Sequence, residues 1–528
     1  MMTPTFRFRA GLGIAATAMA LALPAMAQEL TIIRNQDSNH YDPARTAALS
    51  GSEVLFMLAD TLVGLDEDMS TIVPLLATSW DVSDDALTYT FHIRDDVTFC
   101  DGKKMTADDV AYSLNRWNDP ETKSPVRWRM GDVKSITAPD ATTVVYELNA
   151  PHSELLYQLA QSFGSIVDKD TVEKLGPDFG VTGFNGTGPF CWESWTPRDK
   201  LVMTRHEDYH WGPSNYENTG PAQVEKVTWQ IVPEAATRTV AMLTGQGDVS
   251  PYVPYIGVDK LRQAPTVDII QSDEAFWTNY IGFKITKDMV SDVKVREAIN
   301  LAVNQEAMAE DLFFGEVEPA YSTISTGALD WDDSLDDKLL KYDPEKAAEL
   351  LDEAGWTLNS DGKREKDGVV LAPVAITFTG EWQQTVEAVQ ADLLKVGIEL
   401  QIEPMDATVY WGKSAGDDFD MFVMGFPYVS AGDALNLYFR SSNIPTPNRM
   451  NYSDPKADEL LLTGSQATND ADRAAAYGEV LGMVNSEAIW LPIYHKPMQI
   501  AVSNKMKPFK AHNIYGAGLY KGLQLGFK

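Results

Sequence analysis

From Leu371 to Phe426 the hydrophobic period switches back and forth between two and about 3.6. "LAPVAITFTG" reads as a strand. Val386, Val389, Leu393 and Val396 then make a helical stripe that stops at Gly397. "IELQIEP" is a strand, "ATVYWGKSA" a helix and "FDMFVMGF" a strand again. Such alternation predicts α/β architecture, with a mostly parallel sheet covered by helices. Just upstream, "YDPEKAAELLDEAGW" opens a helix with Asp343 as cap and Pro344 at the first position, and closes it at Gly355.

The first half has its own period-two segment. In "LTYTFHIR", Leu87, Tyr89, Phe91 and Ile93 share one face, and His92 falls on the polar face of a half-buried strand. Asp101-Gly102 is a turn signal. Thr106 then caps a helix whose face is Val110, Leu114 and Trp117. With 528 residues the chain exceeds what one core holds, so two or more lobes are expected. No low-complexity linker separates them, which predicts short crossings.

The N-terminus bounds the compartment. Arg7 and Arg9 precede an apolar run from Ala10 to Leu23, and Ala25 and Ala27 form an A-x-A site. That is an export signal, residues 1–27, with cleavage expected after Ala27. The run is short for a membrane span, and no later run is longer. The formal charge is -33, and the leader removes two Arg and no acid. A surface this acidic disfavours DNA and anionic lipid as partners. Outside the cytoplasm the two cysteines, Cys100 and Cys191, are either a disulfide or two buried thiols.

Motifs that look catalytic lack their context. "HEDYH" (206–210) matches H-E-x-x-H, but a strand-like segment precedes it and Trp211-Gly212-Pro213 ends any helix. "GKSAG" (412–416) matches the nucleophile elbow G-x-S-x-G, but the helix comes before it and the strand after. Asn185 heads a formal glycosylation sequon inside a Gly-Thr-Gly-Pro turn. No metal site or cofactor is indicated, since the seven histidines are scattered. A secreted zinc or serine hydrolase is the remote alternative.

Several blocks, in order, resemble the family 5 extracellular solute-binding proteins, the peptide/nickel-type receptors of ABC importers. They are "PLLATSWDVSDDALTYTFHIRDDVTFCDGKKMTADDVAYSLNR", "GTGPFCWESWTPRDKLVMTRHEDYHWG", "VKVREAINLAVNQEAMAEDLFFGEVEPA", "YDPEKAAELLDEAGW", "KVGIELQIEPMDATVYW" and "IWLPIYHKP". The resemblance implies a monomeric two-lobed periplasmic-binding-protein fold with an extra subdomain inserted in the first lobe. It places lobe I at 28–60, 185–280 and 485–528, the insert at 61–184 and lobe II at 281–484. It implies a periplasmic receptor that closes on a small solute, most simply a peptide or peptide-like compound, and delivers it to a membrane permease with ATPase subunits. A receptor of this kind is not an enzyme. The family commonly has a histidine where Cys100 stands, so Cys100 is a replacement that could pair with Cys191.

Such a cleft combines aromatic walls with a few polar anchors. Trp277, Asn279 and Tyr280 are expected at the first crossing between lobes. Trp382 and Gln383 lie between a strand and the next helix, and Phe426, Tyr428 and Asp433 lie just past another strand. Tyr41 sits on an early loop that the family turns toward the cleft. Peptide-binding relatives carry an acidic loop where this chain has "PYVSAGDA", leaving Asp433 as its one carboxylate. Dipeptide-binding relatives place an arginine where Trp382, Gln383 and Gln384 stand. These departures point away from a simple dipeptide, toward a larger peptide, an oligosaccharide, an opine-like compound or a cationic metabolite.

Overall fold

In the computed structural model, which describes residues 1–2, 28–67, 69–251, 253–514 and 518–528, two large sheets carry the chain. The cleavage site after Ala27, and all of the leader beyond its first two residues, lie outside the described residues. Among the described residues no helix is long and apolar enough to cross a membrane.

Lobe I is built on Glu29–Arg34, whose Leu30 and Ile32 are fully buried. This strand pairs in parallel with Lys226–Ile231 on one side and with Val249–Pro251 on the other. Lys200–Arg205 and Phe190–Thr196 extend one edge. Near the C-terminus the chain comes back as Gln499–Ser503, antiparallel between Val249–Pro251 and Val267–Gln271.

Lobe II holds six strands, in the order Glu318–Pro319, Trp490–His495, Trp277–Phe283, Met421–Pro427, Val374–Phe378 and Gln401–Met405. The β-α-β-α-β run read from the sequence is present, with helices Glu381–Lys395 and Ala407–Ser414 between its strands. The sheet is mixed rather than mostly parallel. Val374–Phe378 pairs in parallel with both of its neighbours, but Trp277–Phe283 is antiparallel to Met421–Pro427 and to Trp490–His495. The reason is topological: Trp277–Phe283 brings the chain in from the first crossing and Trp490–His495 takes it out to the second, so the two run in opposite directions.

The crossings are short, at 272–276 and 496–498. They are tied to each other by Ser272 N–H to Met498 O (2.9 Å), Met498 N–H to Ser272 Oγ (3.0 Å) and Lys496 N–H to Trp277 O (2.7 Å). Sheet membership therefore puts 277–280 and 490–495 in lobe II, where the sequence reading had them in lobe I. An apolar strand looks the same whichever sheet it joins.

Between Glu29–Arg34 and Phe190–Thr196 the chain makes a separate four-stranded antiparallel sheet, Ala77–Val82, Thr88–Ile93, Thr143–Leu148 and Val133–Asp140. Helix Ala107–Asn118 lies on it, opened by a Thr106/Asp109 capping box, with Val110, Leu114 and Trp117 buried. His92 sits on the outer face beside Asp81 (2.8 Å). The apolar cluster of this insert runs on into lobe II, whereas most of lobe I packs in a cluster of its own. Cys100 and Cys191 form a disulfide, Cα atoms 5.6 Å apart, linking the insert to an edge strand of lobe I.

Candidate functional site

The parallel strands Val374–Phe378, Gln401–Met405 and Met421–Pro427 end on one side of lobe II, each followed by a helix. Ligands of open α/β sheets gather outside such strand ends. Trp277 pairs with Pro427 there and is half-buried. Lys496 leaves the neighbouring strand into the second crossing. Its Nζ lies 5.2 Å from the ring centre of Tyr255 and 5.5 Å from that of Trp277. Tyr255 opens helix Tyr255–Arg262 on lobe I and packs edge-on against Phe313 (5.3 Å) and Tyr494 (6.5 Å) of lobe II. Tyr494 donates from its hydroxyl to Glu381 Oε1 (3.3 Å). Glu381, the first residue of its helix, is solvent-exposed and marks the open side.

A cation, an anion and aromatic walls thus converge between the lobes. Burial lowers the pKa of the Lys496 ammonium, and the Glu381 carboxylate opposes that shift. Burial, aided by Glu381, pushes the Tyr255 and Tyr494 hydroxyls well above their ordinary range, so both stay protonated donors. A half-buried ammonium between rings is worth more to an incoming carboxylate than an exposed one, because water competes less. Lower on the same side, Arg262 of lobe I meets Glu316 of lobe II (2.6 Å).

A second contact joins the insert to lobe II. Arg129, on the short turn Arg127–Met130, holds Asp433 and donates to Gln158 Oε1 (2.6 Å). Its guanidinium lies 4.7 Å from the Trp128 ring and 5.4 Å from that of Phe163. Ser430 caps helix Ala431–Tyr438 by accepting from Asp433 N–H (3.0 Å) and donates its own hydroxyl to Glu154. Burial raises the Asp433 pKa and Arg129 opposes it. Burial raises Glu154 to about 7, with Ser430 opposing and Asp433 and Asp330 reinforcing.

The structure brings only part of the sequence-derived set to this region. Trp277 lines the cleft. Asp433 lies between insert and lobe II with its carboxylate engaged by Arg129, so it is not an open anchor. Tyr41 is fully buried in lobe I, edge-on to Trp192 (5.7 Å) and Trp195 (5.1 Å), its hydroxyl on Asp37 (2.7 Å). Asn279 and Tyr280 belong to a strand interior, and Tyr280 stacks on Trp490 at 3.5 Å. Phe426 packs edge-on against Tyr438 (5.0 Å). Tyr428 is buried, its hydroxyl accepting from Ser325 N–H (2.6 Å) and Thr278 (3.1 Å). Trp382 covers core, and Gln383 reaches along its helix to Glu387 (2.8 Å). Aromatic residues near strand ends were drawn into packing, which is their usual use. Lys496, Glu381, Tyr255 and Tyr494 are the residues the sequence reading missed. Lys496 and Tyr494 lie within the quoted block "IWLPIYHKP".

The catalytic look-alikes stay unassembled. His206 donates from Nδ1 to Gly188 O (3.0 Å) and His210 is exposed, with no helix between them. Ser414 is buried at the end of a helix, its hydroxyl on Trp411 O (3.2 Å).

The family described as bacterial extracellular solute-binding proteins, family 5 Middle, matches residues 71–445. The chain is 27% identical to the glutathione-binding protein GsiB of Escherichia coli K12 over 508 residues, covering 94% of each. Among solved structures it is similar to NikZ from Campylobacter jejuni in complex with Ni(L-His), with TM-score 0.80, 22% identity and coverage of 94% of this chain and 99% of that one. It is also similar to the oligopeptide-binding protein AppA from Bacillus subtilis in complex with a nonapeptide, with TM-score 0.79, 21% identity and coverage of 95% and 99%. At these identities the two structures speak for the fold.

Proposed function

The chain belongs to family 5 of the bacterial extracellular solute-binding proteins, the receptors of ABC importers, and from that premise we propose that its solute is a peptide-like zwitterion. The observation that carries this reading is the pairing of Lys496 with Glu381 across an aromatic-walled space between the lobes. Lys496 meets a carboxylate of the solute, Glu381 an amine, and Tyr255 and Trp277 cover its apolar part. A solute touching both lobes favours the closed state by its differential affinity for it. The closed receptor docks on a membrane permease, whose ATPase subunits drive uptake. The chain acts as a monomer in the periplasm after cleavage behind Ala27, and catalyses no reaction itself.

The names of the relatives support the same chemistry: GsiB is a glutathione-binding protein, and AppA holds a nonapeptide. Both ligands are peptides with free carboxylates. The test is thermal unfolding of the mature protein against glutathione, di- to pentapeptides, opine-like compounds, neutral oligosaccharides, cationic metabolites and metal–histidine mixtures. A solute at 100 times its Kd stabilises by about 2.7 kcal/mol. Peptides or opine-like zwitterions should raise the midpoint. A shift by neutral oligosaccharides alone would sink the reading.

A further inference from the structure

A cavity of about 600 Å³ lies in the seam between the insert and lobe II, and it shares none of the residues that surround Lys496. That volume is within the range of small-molecule pockets. The insert contributes Trp128 and His152 to its wall, and lobe II contributes Leu437, Arg440, Leu462 and Ser465. The wall is unusually open for apolar groups: the Trp128 side chain is 41% exposed and Leu462 47%.

The polar groups of this wall are mostly spoken for. Asp132 accepts from Asn149 Nδ2 (3.0 Å), and Glu154 is bonded to Ser430 and Tyr477. His152 is held by the Arg129 carbonyl (2.9 Å). Arg440 is different. Its Nε donates to Asn436 Oδ1 (2.8 Å) and its Nη2 to Ser465 Oγ (3.2 Å) and Leu461 O (3.3 Å), all neutral acceptors. Among the described residues no carboxylate forms an ion pair with it, in a chain with 76 acids against 43 Lys and Arg. Asp458, which acts on it through space, is bonded to Ser441. The two carboxylates of the wall, Asp132 and Glu154, are bonded elsewhere, and among the described residues no hydrogen bond uses Arg440 Nη1, so this half-buried guanidinium can meet one oxygen of an incoming anion.

We propose that this seam is a second small-molecule site, taking an apolar or aromatic monocarboxylate with its carboxylate on Arg440 and its hydrophobic part between Trp128, Leu437 and Leu462. The walls come from two bodies, so the site is complete only while the insert and lobe II are in contact. Its occupant therefore stabilises the arrangement in which the main solute is held. The two ligands strengthen each other's binding, by a factor in the usual range of about 5 to 150.

The probe is 3-phenylpropionate, with neutral 3-phenylpropionamide as its control, titrated calorimetrically into the full mature protein. The acid should bind saturably and about tenfold or more tighter than the amide, the value of a charge-assisted hydrogen bond. Arg440→Gln should abolish that preference. Trp128→Ala, at a side chain 41% exposed, should weaken acid and amide together while thermal unfolding shows that the variant still folds cooperatively. Lys496→Met should leave acid binding unchanged. Equal affinity for acid and amide, no saturable binding at millimolar acid, or loss of binding in Lys496→Met but not in Trp128→Ala would each overturn the proposal.

Discussion

Arg129 of the insert and Asp433 of lobe II form an ion pair between the two bodies, with side chains 1% and 0% exposed. Breaking one member of a buried pair leaves an uncompensated charge and costs about 3–5 kcal/mol, whereas replacing both with apolar side chains is often neutral. In a two-lobed receptor, opening the seam hydrates the orphan. Asp433→Ala should therefore weaken every solute, whatever its charge, and enlarge the solute-free protein in small-angle scattering. Arg129→Met with Asp433→Leu should recover most of both. Selective loss of amine-bearing solutes with unchanged dimensions would instead make Asp433 a direct solute anchor.

Lys496 and Glu381 give a sharper test of solute chemistry. Lys496→Met should lower affinity for a free-carboxylate peptide by about 10- to 100-fold, the worth of a hydrogen bond to a charged group. It should leave the amide-capped peptide nearly unaffected. Glu381→Gln should do the reverse for N-acetylated peptides, by less, because Glu381 is exposed and water screens it. Calorimetric titration of the four combinations checks both; equal losses for capped and free peptides would remove the two residues from the site.

The elements were legible because their periods are clean. Val386, Val389 and Leu393 are all fully buried in helix Glu381–Lys395, as their spacing requires, and Thr106 does cap its helix. The site was less so, because it is made by pairings distant in sequence. Lys496 reads as a solvated lysine after a strand; only the bond from its N–H to Trp277 O brings it under two rings. Asp433 reads as an open carboxylate because nothing local reveals that Arg129 reaches it from the insert. Tyr41 looks like a loop aromatic until Trp192 and Trp195 close around it.

The disulfide should matter for stability and not for recognition. Cys100 and Cys191 are 91 residues apart, and closing a loop of that size removes about 4 to 5 kcal/mol of chain entropy from the unfolded state. The bond joins the insert to lobe I, and among the described residues neither cysteine bonds to Lys496 or Arg129. Replacing both cysteines with serine should lower Tm markedly and leave solute affinity at temperatures well below Tm within about twofold. Two thiols reacting in the denatured, unreduced protein would show that the bond does not form.

Glu154 should make solute affinity depend on pH. Its carboxyl is buried against Ser430 and Tyr477, with Asp433 and Asp330 near it and Arg473 opposing. With the seam closed its pKa is raised from the ordinary 4.5 to about 7; with the seam open it meets water and returns toward the ordinary value. The closed form therefore binds the proton more tightly. Ionising Glu154 carries no penalty for closure below about 4.5, a growing one as pH rises from there, and the full one above about 7. Affinity should fall with rising pH through that window, by at most about tenfold per pH unit for one proton, and level off above it. Glu154→Gln should flatten the profile, since the amide keeps the shape and never ionises. The measurement is solute affinity at a series of pH values from 5 to about 7.5 for wild type and Glu154→Gln alike, so that titration of the peptide's own α-amino group near the upper end cancels between the two profiles. Parallel profiles for wild type and Glu154→Gln would show that another group carries the dependence.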